Sequence, residues 1–170
     1  MSHKPYLFIG SSSEGLPVAK EIKEQLCKVA DVTIWNEGIF EINKSYLDSL
    51  LDANFLFDFA VLVFTPDDLL KTRGKKVSAA RDNVIFEMGL SLGRLGPRRS
   101  YIVCEDTVNI LSDFTGISLL KFTRPKRGLL TEPLRKVCDQ LKLLIKKGTQ
   151  QAELGFLPST TLAIGYFLIF

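Results

Sequence analysis

Residues 57–64 read Phe-Asp-Phe-Ala-Val-Leu-Val-Phe, and Thr65-Pro66-Asp67-Asp68 stops the run. A nearly continuous apolar stretch of this length suits a strand buried on both faces, as in the centre of a parallel sheet. Before it, Tyr6-Leu7-Phe8-Ile9-Gly10 is a short β-type run that ends in Gly10-Ser11-Ser12-Ser13. Leu16, Ala19, Ile22 and Leu26 then recur at helical spacing over 16–29. A second strand is expected over 31–35, a loop around 36–38 and a helix over 44–56. After the central run, 69–80 carries Lys71, Arg73, Gly74, Lys75 and Lys76 and reads as a mobile basic loop. It leads into a helix over 82–95 that Gly96-Pro97 closes. Strands over 100–104 and 118–122 follow, then an amphipathic helix over 130–147 with Leu134, Val137, Leu141 and Leu144 inward. Five strands alternating with helices predict an open, mostly parallel α/β sheet. Ligands bind such sheets outside the carboxyl ends of the strands, an edge that collects positions 10–13, 35–38 and 65–68.

Composition narrows the chemistry. The 170 residues are 46% hydrophobic and 24% charged, which describes one globular domain and excludes disorder as the default. A net charge of +3 is too small to argue for nucleic acid, and the basic clusters fall where solvated loops are expected. Cys27, Cys104 and Cys138 are far apart and form no paired spacing, so they read as small buried apolar residues. His3 is the only histidine, which removes Ser-His-Asp and Cys-His catalysis and histidine-rich metal sites. Any catalysis must rest on carboxylates, hydroxyls and backbone. The apolar run at Tyr6 to Ile9 is too short for a signal-peptide core, so a cytoplasmic protein is expected.

One carboxylate stands out. In Ala80-Arg81-Asp82-Asn83-Val84-Ile85-Phe86-Glu87-Met88-Gly89-Leu90, the residues Val84, Ile85, Met88 and Leu92 define a core face. Asn83, Glu87 and Ser91 lie one turn apart on the adjoining face. Glu87 is thus expected at the edge of the buried stripe, partly desolvated, where an acid is held by a structural partner or kept for a ligand. Asp82 is placed to cap this helix, and Gly89 and Gly93 to allow close approach.

Gly10-Ser11-Ser12-Ser13-Glu14-Gly15 offers small residues, free N–H groups and hydroxyls suited to phosphate or ribose oxygens. The same residues suit a serine N-cap with Glu14 adding charge to the first turn. Trp35 closes the second strand, where its ring would stack on a flat ligand or fill the core. Asp67 and Asp68 read as structural, since Thr-Pro-Asp-Asp more often starts the next helix than ligates a metal.

The blocks Phe8 to Gly15, Val32-Thr33-Ile34-Trp35, Phe57 to Asp68 and Ala80 to Leu90, in this order, resemble the TIR domains of bacterial anti-phage defence effectors. The likeness covers positions 4–147 and is greatest to the TIR half of TIR-STING effectors of cyclic-oligonucleotide (CBASS) signalling. It implies a flavodoxin-like TIR domain with a five-stranded, mostly parallel sheet flanked by helices. It also implies cleavage of NAD+ at the nicotinamide-ribose bond, switched on by self-association of TIR domains, with NAD+ as substrate and not as cofactor. By resemblance Glu87 is the catalytic carboxylate, and Gly10, Ser11, Ser12, Trp35 and Asn83 bind substrate. Two other readings stand beside this one: a non-catalytic TIR interaction module, and a nucleoside or nucleotide ribosyl transferase.

The resemblance divides the chain into a TIR domain over 1–148, a linker over 149–155 and an apolar helix over 156–170 that is similar to the start of a STING domain. That tail is shorter than a membrane-spanning helix requires, so no membrane partner is expected. A cyclic dinucleotide would be sensed only through a STING domain that these residues do not include.

Overall fold

The computed structural model describes residues 4–37, 56–72, 75–110, 114 and 117–153. The elements are β1 (Tyr6–Ser11), α1 (Leu16–Leu26), β2 (Asp31–Ile34), β3 (Phe59–Phe64), β4 (Asp68–Thr72), β5 (Lys75–Ala79), α2 (Asp82–Leu95), β6 (Ser100–Glu105), β7 (Ser118–Phe122) and α3 (Thr131–Glu153). The expected helix over 44–56, apart from the helical Leu56, and the tail over 156–170 lie outside the described residues.

Five strands form one sheet in the order β2-β1-β3-β6-β7, and every pairing in it is parallel. This is the flavodoxin-like winding, in which the strand order reverses between β1 and β3. Alternation along the strands sends Leu7, Ile9, Val61 and Val63 to one face, covered by α1 and α3, and Phe8, Ala60, Leu62 and Phe64 to the other, covered by α2. All six residues of β3 are buried, as its apolar run requires. The strand starts at Phe59 because the Asp58 carboxylate accepts the Tyr6 amide at 2.9 Å, while the Asp58 amide donates to the Tyr6 carbonyl.

Four expectations need correction. The basic stretch over 69–80 is not a loop: β4 and β5 pair antiparallel from Asp68↔Ala79 to Thr72↔Lys75 and form a hairpin between β3 and α2. The last helix does not end at Lys147 but runs to Glu153, so 149–153, read as linker, is helical. Its buried stripe is Leu134, Val137, Cys138, Leu141 and Ile145, with Leu144 only flanking it. Cys104 and Cys138 are buried, but Cys27 lies exposed just past the end of α1.

The buried face of α2 is also rotated from the one expected. It comprises Val84, Glu87, Met88, Ser91 and Leu95, while Ile85 and Leu92 are only partly buried. Glu87 is therefore in the middle of the stripe.

A carboxylate at the topological switch point

The strand order reverses where Gly10 is in register with Leu62 and Ser11 with Val63, near the carboxyl ends of β1 and β3. α2 crosses the face to which Phe8 and Gly10 point, and its sixth residue, Glu87, is 1% exposed. The Glu87 carboxylate packs against the Gly10 backbone: a Cβ built on Gly10 would lie 2.5 Å from Glu87 Oε2 and 2.5 Å from Leu62 Cδ1. Glycine at position 10 is what lets an acid occupy this face of the sheet.

Ser11 faces the opposite side and meets Trp35. The indole Nε1–H donates to Ser11 Oγ at 3.0 Å, and the Trp35 amide donates to the Ile9 carbonyl. Half-buried, Trp35 packs on the cores of both sheet faces, so its ring closes the end of the sheet at β2. The following turn is pinned by Glu37, whose carboxylate accepts the Ile34 amide at 3.0 Å and the Lys23 ammonium at 2.5 Å. Burial pushes the Glu37 carboxyl up, but the Ile34 amide and Lys23 outweigh it and hold the group below its ordinary value.

Ser12 is turned inward. Its Oγ accepts the Gly15 amide at 3.0 Å and lies 3.3 Å from Thr65 Oγ1, which itself donates to Asp67 Oδ2 at 2.9 Å. With the Thr65 proton committed to Asp67, the Ser12 hydroxyl donates to Thr65. The chain of hydroxyls ties the β1–α1 turn to the end of β3. α1 begins at Leu16 with Gly15 as its N-cap, so Glu14 lies ahead of the helix rather than in its first turn.

Asn83 is exposed, one turn N-terminal to Glu87. Arg81, not Asp82, is the N-cap residue of α2, and its guanidinium donates to Glu14 at 2.8 Å and lies 3.9 Å from Asp68. The structure thus joins Glu87 to Gly10, Ser11 to Trp35 and Ser12 to Thr65 around one edge. Thr65 and Arg81 were not singled out from the sequence. The signal for Arg81 was a cation at a helix N-terminus, where the macrodipole disfavours it and acidic partners are needed.

Burial pushes the Cys104 thiol up to about 12, so it stays protonated near neutral pH and offers no thiolate. Among the described residues, no group of His, Cys, Asp and Glu could hold a metal ion, and no helix is long and apolar enough to cross a membrane.

Comparison with known proteins agrees with this architecture. The family described as CAP12/Pycsar effector protein, TIR domain, matches residues 6–124. A CD-NTase-associated protein 12 from Flavobacterium daejeonense is 42% identical over 167 residues, covering 98% of this chain and 54% of that protein. The Pycsar effector protein PaPycTIR from Pseudomonas aeruginosa is 34% identical over 146 residues, covering 84% of this chain and 47% of its own length. The chain spans about half the length of the curated relatives it matches. Among solved structures, a diflavin flavoprotein A3 from Nostoc sp. superimposes with a TM-score of 0.50 over 89% of this chain and 99% of its own, at 11% identity, a likeness of fold alone. By its sequence match and its sheet, the chain belongs to the TIR-domain family of CAP12/Pycsar effector proteins.

Proposed function

We propose that this domain is an NAD+ glycohydrolase of an anti-phage effector, releasing nicotinamide and ADP-ribose when copies of it associate. The observation that carries the reading is the placement of Glu87, a carboxylate 1% exposed and packed on Gly10 at the strand reversal where α/β sheets bind ligands. A low-dielectric setting strengthens the field of a carboxylate at a neighbouring cation.

The reaction needs only one catalytic carboxylate. Nicotinamide in NAD+ carries a positive ring nitrogen. When the bond from that nitrogen to ribose C1′ breaks, the electron pair returns to the ring and the base departs neutral, without a general acid. Positive charge then develops at C1′ and the ring oxygen, where Glu87 would stabilise it and hold the ribose hydroxyls. Water adds to C1′ and loses a proton to give ADP-ribose. Ser11 and Trp35 border the ribose and base, and the Ser12–Thr65 pair fixes the turn that shapes the floor.

The relatives' names, CD-NTase-associated protein and Pycsar effector, support a place downstream of a nucleotide signal. The signal would be read by the half of such proteins that this chain does not match.

The test is nicotinamide release from NAD+ at rising protein concentration, beside Glu87→Gln and Glu87→Ala. The expected result is release that climbs more steeply than protein concentration and falls by about 100-fold or more in both variants. No release at any concentration would favour an interaction module, and release unchanged by either substitution would remove Glu87 from the reaction. Exchange of free base into NAD+ without net hydrolysis would favour a ribosyl transferase.

A further inference from the structure

We propose that Arg81 reads the diphosphate of a dinucleotide substrate, and that Glu14 holds its place until the substrate arrives. Arg81 lies between the hairpin β4–β5 and α2, six residues before Glu87. Its Nη2 donates to Glu14 Oε1 at 2.8 Å, and its Nε lies 3.9 Å from Asp68 Oδ1. Glu14 is three residues past the end of β1 and Asp68 four past the end of β3. One guanidinium therefore bridges the two strand ends between which the sheet order reverses, beyond the place where Glu87 meets Gly10.

A strut is a poor account of this contact. The side chains of Arg81, Glu14 and Asp68 are 45%, 51% and 43% exposed, and ion pairs so open to water and salt contribute little to stability. Arg81 makes no side-chain capping bond to its helix, and its charge is opposed by the helix dipole. The Asp68 contact is longer than a hydrogen bond, so the Nε side of the fork is held by charge alone. Such an arginine is easily released, and its planar fork matches phosphate oxygens in two-point contacts stronger than the one it would give up.

The ligand class follows from spacing. Six residues of helix rise about 9 Å, and an arginine side chain covers much of that distance. The diphosphate of NAD+ is attached through C5′ of the ribose whose C1′ bears nicotinamide. With the ribose at Glu87, the proposal puts the diphosphate on the side of Arg81, and this step rests on the hydrolase reading. The exposed position of Glu14 makes its displacement inexpensive and lets the acids repel anions that lack a matching second anchor.

The experiment is calorimetric titration of ADP-ribose into the wild-type chain and its R81Q, R81K and E14Q variants, each first shown to melt cooperatively, with KM and kcat for NAD+ on the same preparations. Expected are a loss of ADP-ribose affinity of at least 10-fold in R81Q, partial recovery in R81K, tighter binding in E14Q, and a rise in KM larger than any fall in kcat. Equal ADP-ribose affinity in wild type and R81Q, or no binding by the wild type, would overturn the proposal. NAD+ cleavage with an unchanged KM in R81Q would remove the proposal and leave the hydrolase standing. Arginine-dependent ADP-ribose binding without any cleavage would do the reverse.

Discussion

Glu87 Oε2 lies 2.5 Å from the point where a Cβ on residue 10 would stand, so the acid on α2 and the glycine on β1 occupy one volume between them. A change at Gly10 is therefore a change at Glu87. In Gly10→Ala the new methyl also meets Leu62 Cδ1 at 2.5 Å, and both neighbouring side chains are buried. Overpacking of this kind costs about 1–3 kcal/mol. The expected result is a lower urea midpoint, with nicotinamide release reduced at temperatures where the variant is still folded. Full activity in a stable Gly10→Ala protein would separate the glycine from the carboxylate.

Ser12 and Thr65 share a buried chain of hydroxyls that runs from the Gly15 amide to Asp67. Removing either hydroxyl leaves a buried polar partner unsatisfied, at a cost of about 1–3 kcal/mol. Ser12→Ala and Thr65→Val should each destabilise by that order, and the double variant by less than their sum, because the second change removes the orphan created by the first. Denaturant unfolding of the four proteins measures the coupling. Additive losses would show that the two hydroxyls do not act together.

The sheet was legible because its residues obey two simple rules. The run 57–64 has the composition of a doubly buried strand, and α2 begins and ends where its spacing and Gly96 place it, with the Gly96 amide donating to the Leu92 carbonyl at 3.0 Å. The hairpin was not legible, because its lysines and glycine carry the composition of a loop and its pairing depends on a tertiary position beside β3. Glu87 was recognised as the unusual acid but placed at the edge of its stripe. Hydropathy counts it as polar, whereas the glycine that makes room for it lies 77 positions away and only the fold brings the two together. Ser12 was legible as a polar turn residue, but its bonds to Thr65 and Gly15 depend on contacts that only the fold makes.

Trp35 is the only tryptophan in the chain and donates its indole N–H to Ser11, so its fluorescence reports on this edge of the sheet. Trp35→Phe keeps an aromatic ring and removes the donor. It should lower stability by about 1 kcal/mol and raise KM for NAD+ more than it lowers kcat, as expected of a residue that borders the substrate without acting on the bond. In the wild type, ADP-ribose should change the emission. An emission that stays constant through a saturating titration would place the ligand away from Trp35.

Glu37 gives the domain a small acid-sensitive contribution. Its carboxyl titrates below the ordinary 4.5 in the folded chain, since the Ile34 amide and Lys23 ammonium outweigh the upward push of burial. The unfolded state thus binds the proton more readily, and the stabilisation is complete above about pH 4.5. It declines as the pH falls below that value and is gone below the folded pKa. With Lys23 and Glu37 34% and 40% exposed, the contribution should not exceed about 1 kcal/mol. The difference in unfolding free energy between wild type and Glu37→Gln should be constant at neutral pH and vanish in acid. A difference that grows as the pH falls would contradict the assignment.

Gly148 lies within α3, where helix propensity alone would favour alanine by about 1 kcal/mol. Packing reverses that preference. A Cβ at residue 148 would come within 2.6 Å and 2.8 Å of two ring carbons of Phe59, and this ring is buried on β3 and stacked on Tyr101 at a centroid distance of 6.3 Å. Displacing the ring would disturb its stacking on Tyr101, whose hydroxyl donates to the Arg98 carbonyl at 2.7 Å. Gly148→Ala should therefore destabilise by about 1–3 kcal/mol despite its better propensity. Phe59→Leu should relieve part of that loss when the two changes are combined. Thermal unfolding of the single and double variants decides the matter: a stabilised Gly148→Ala protein would mean that the end of α3 is free to move off the sheet.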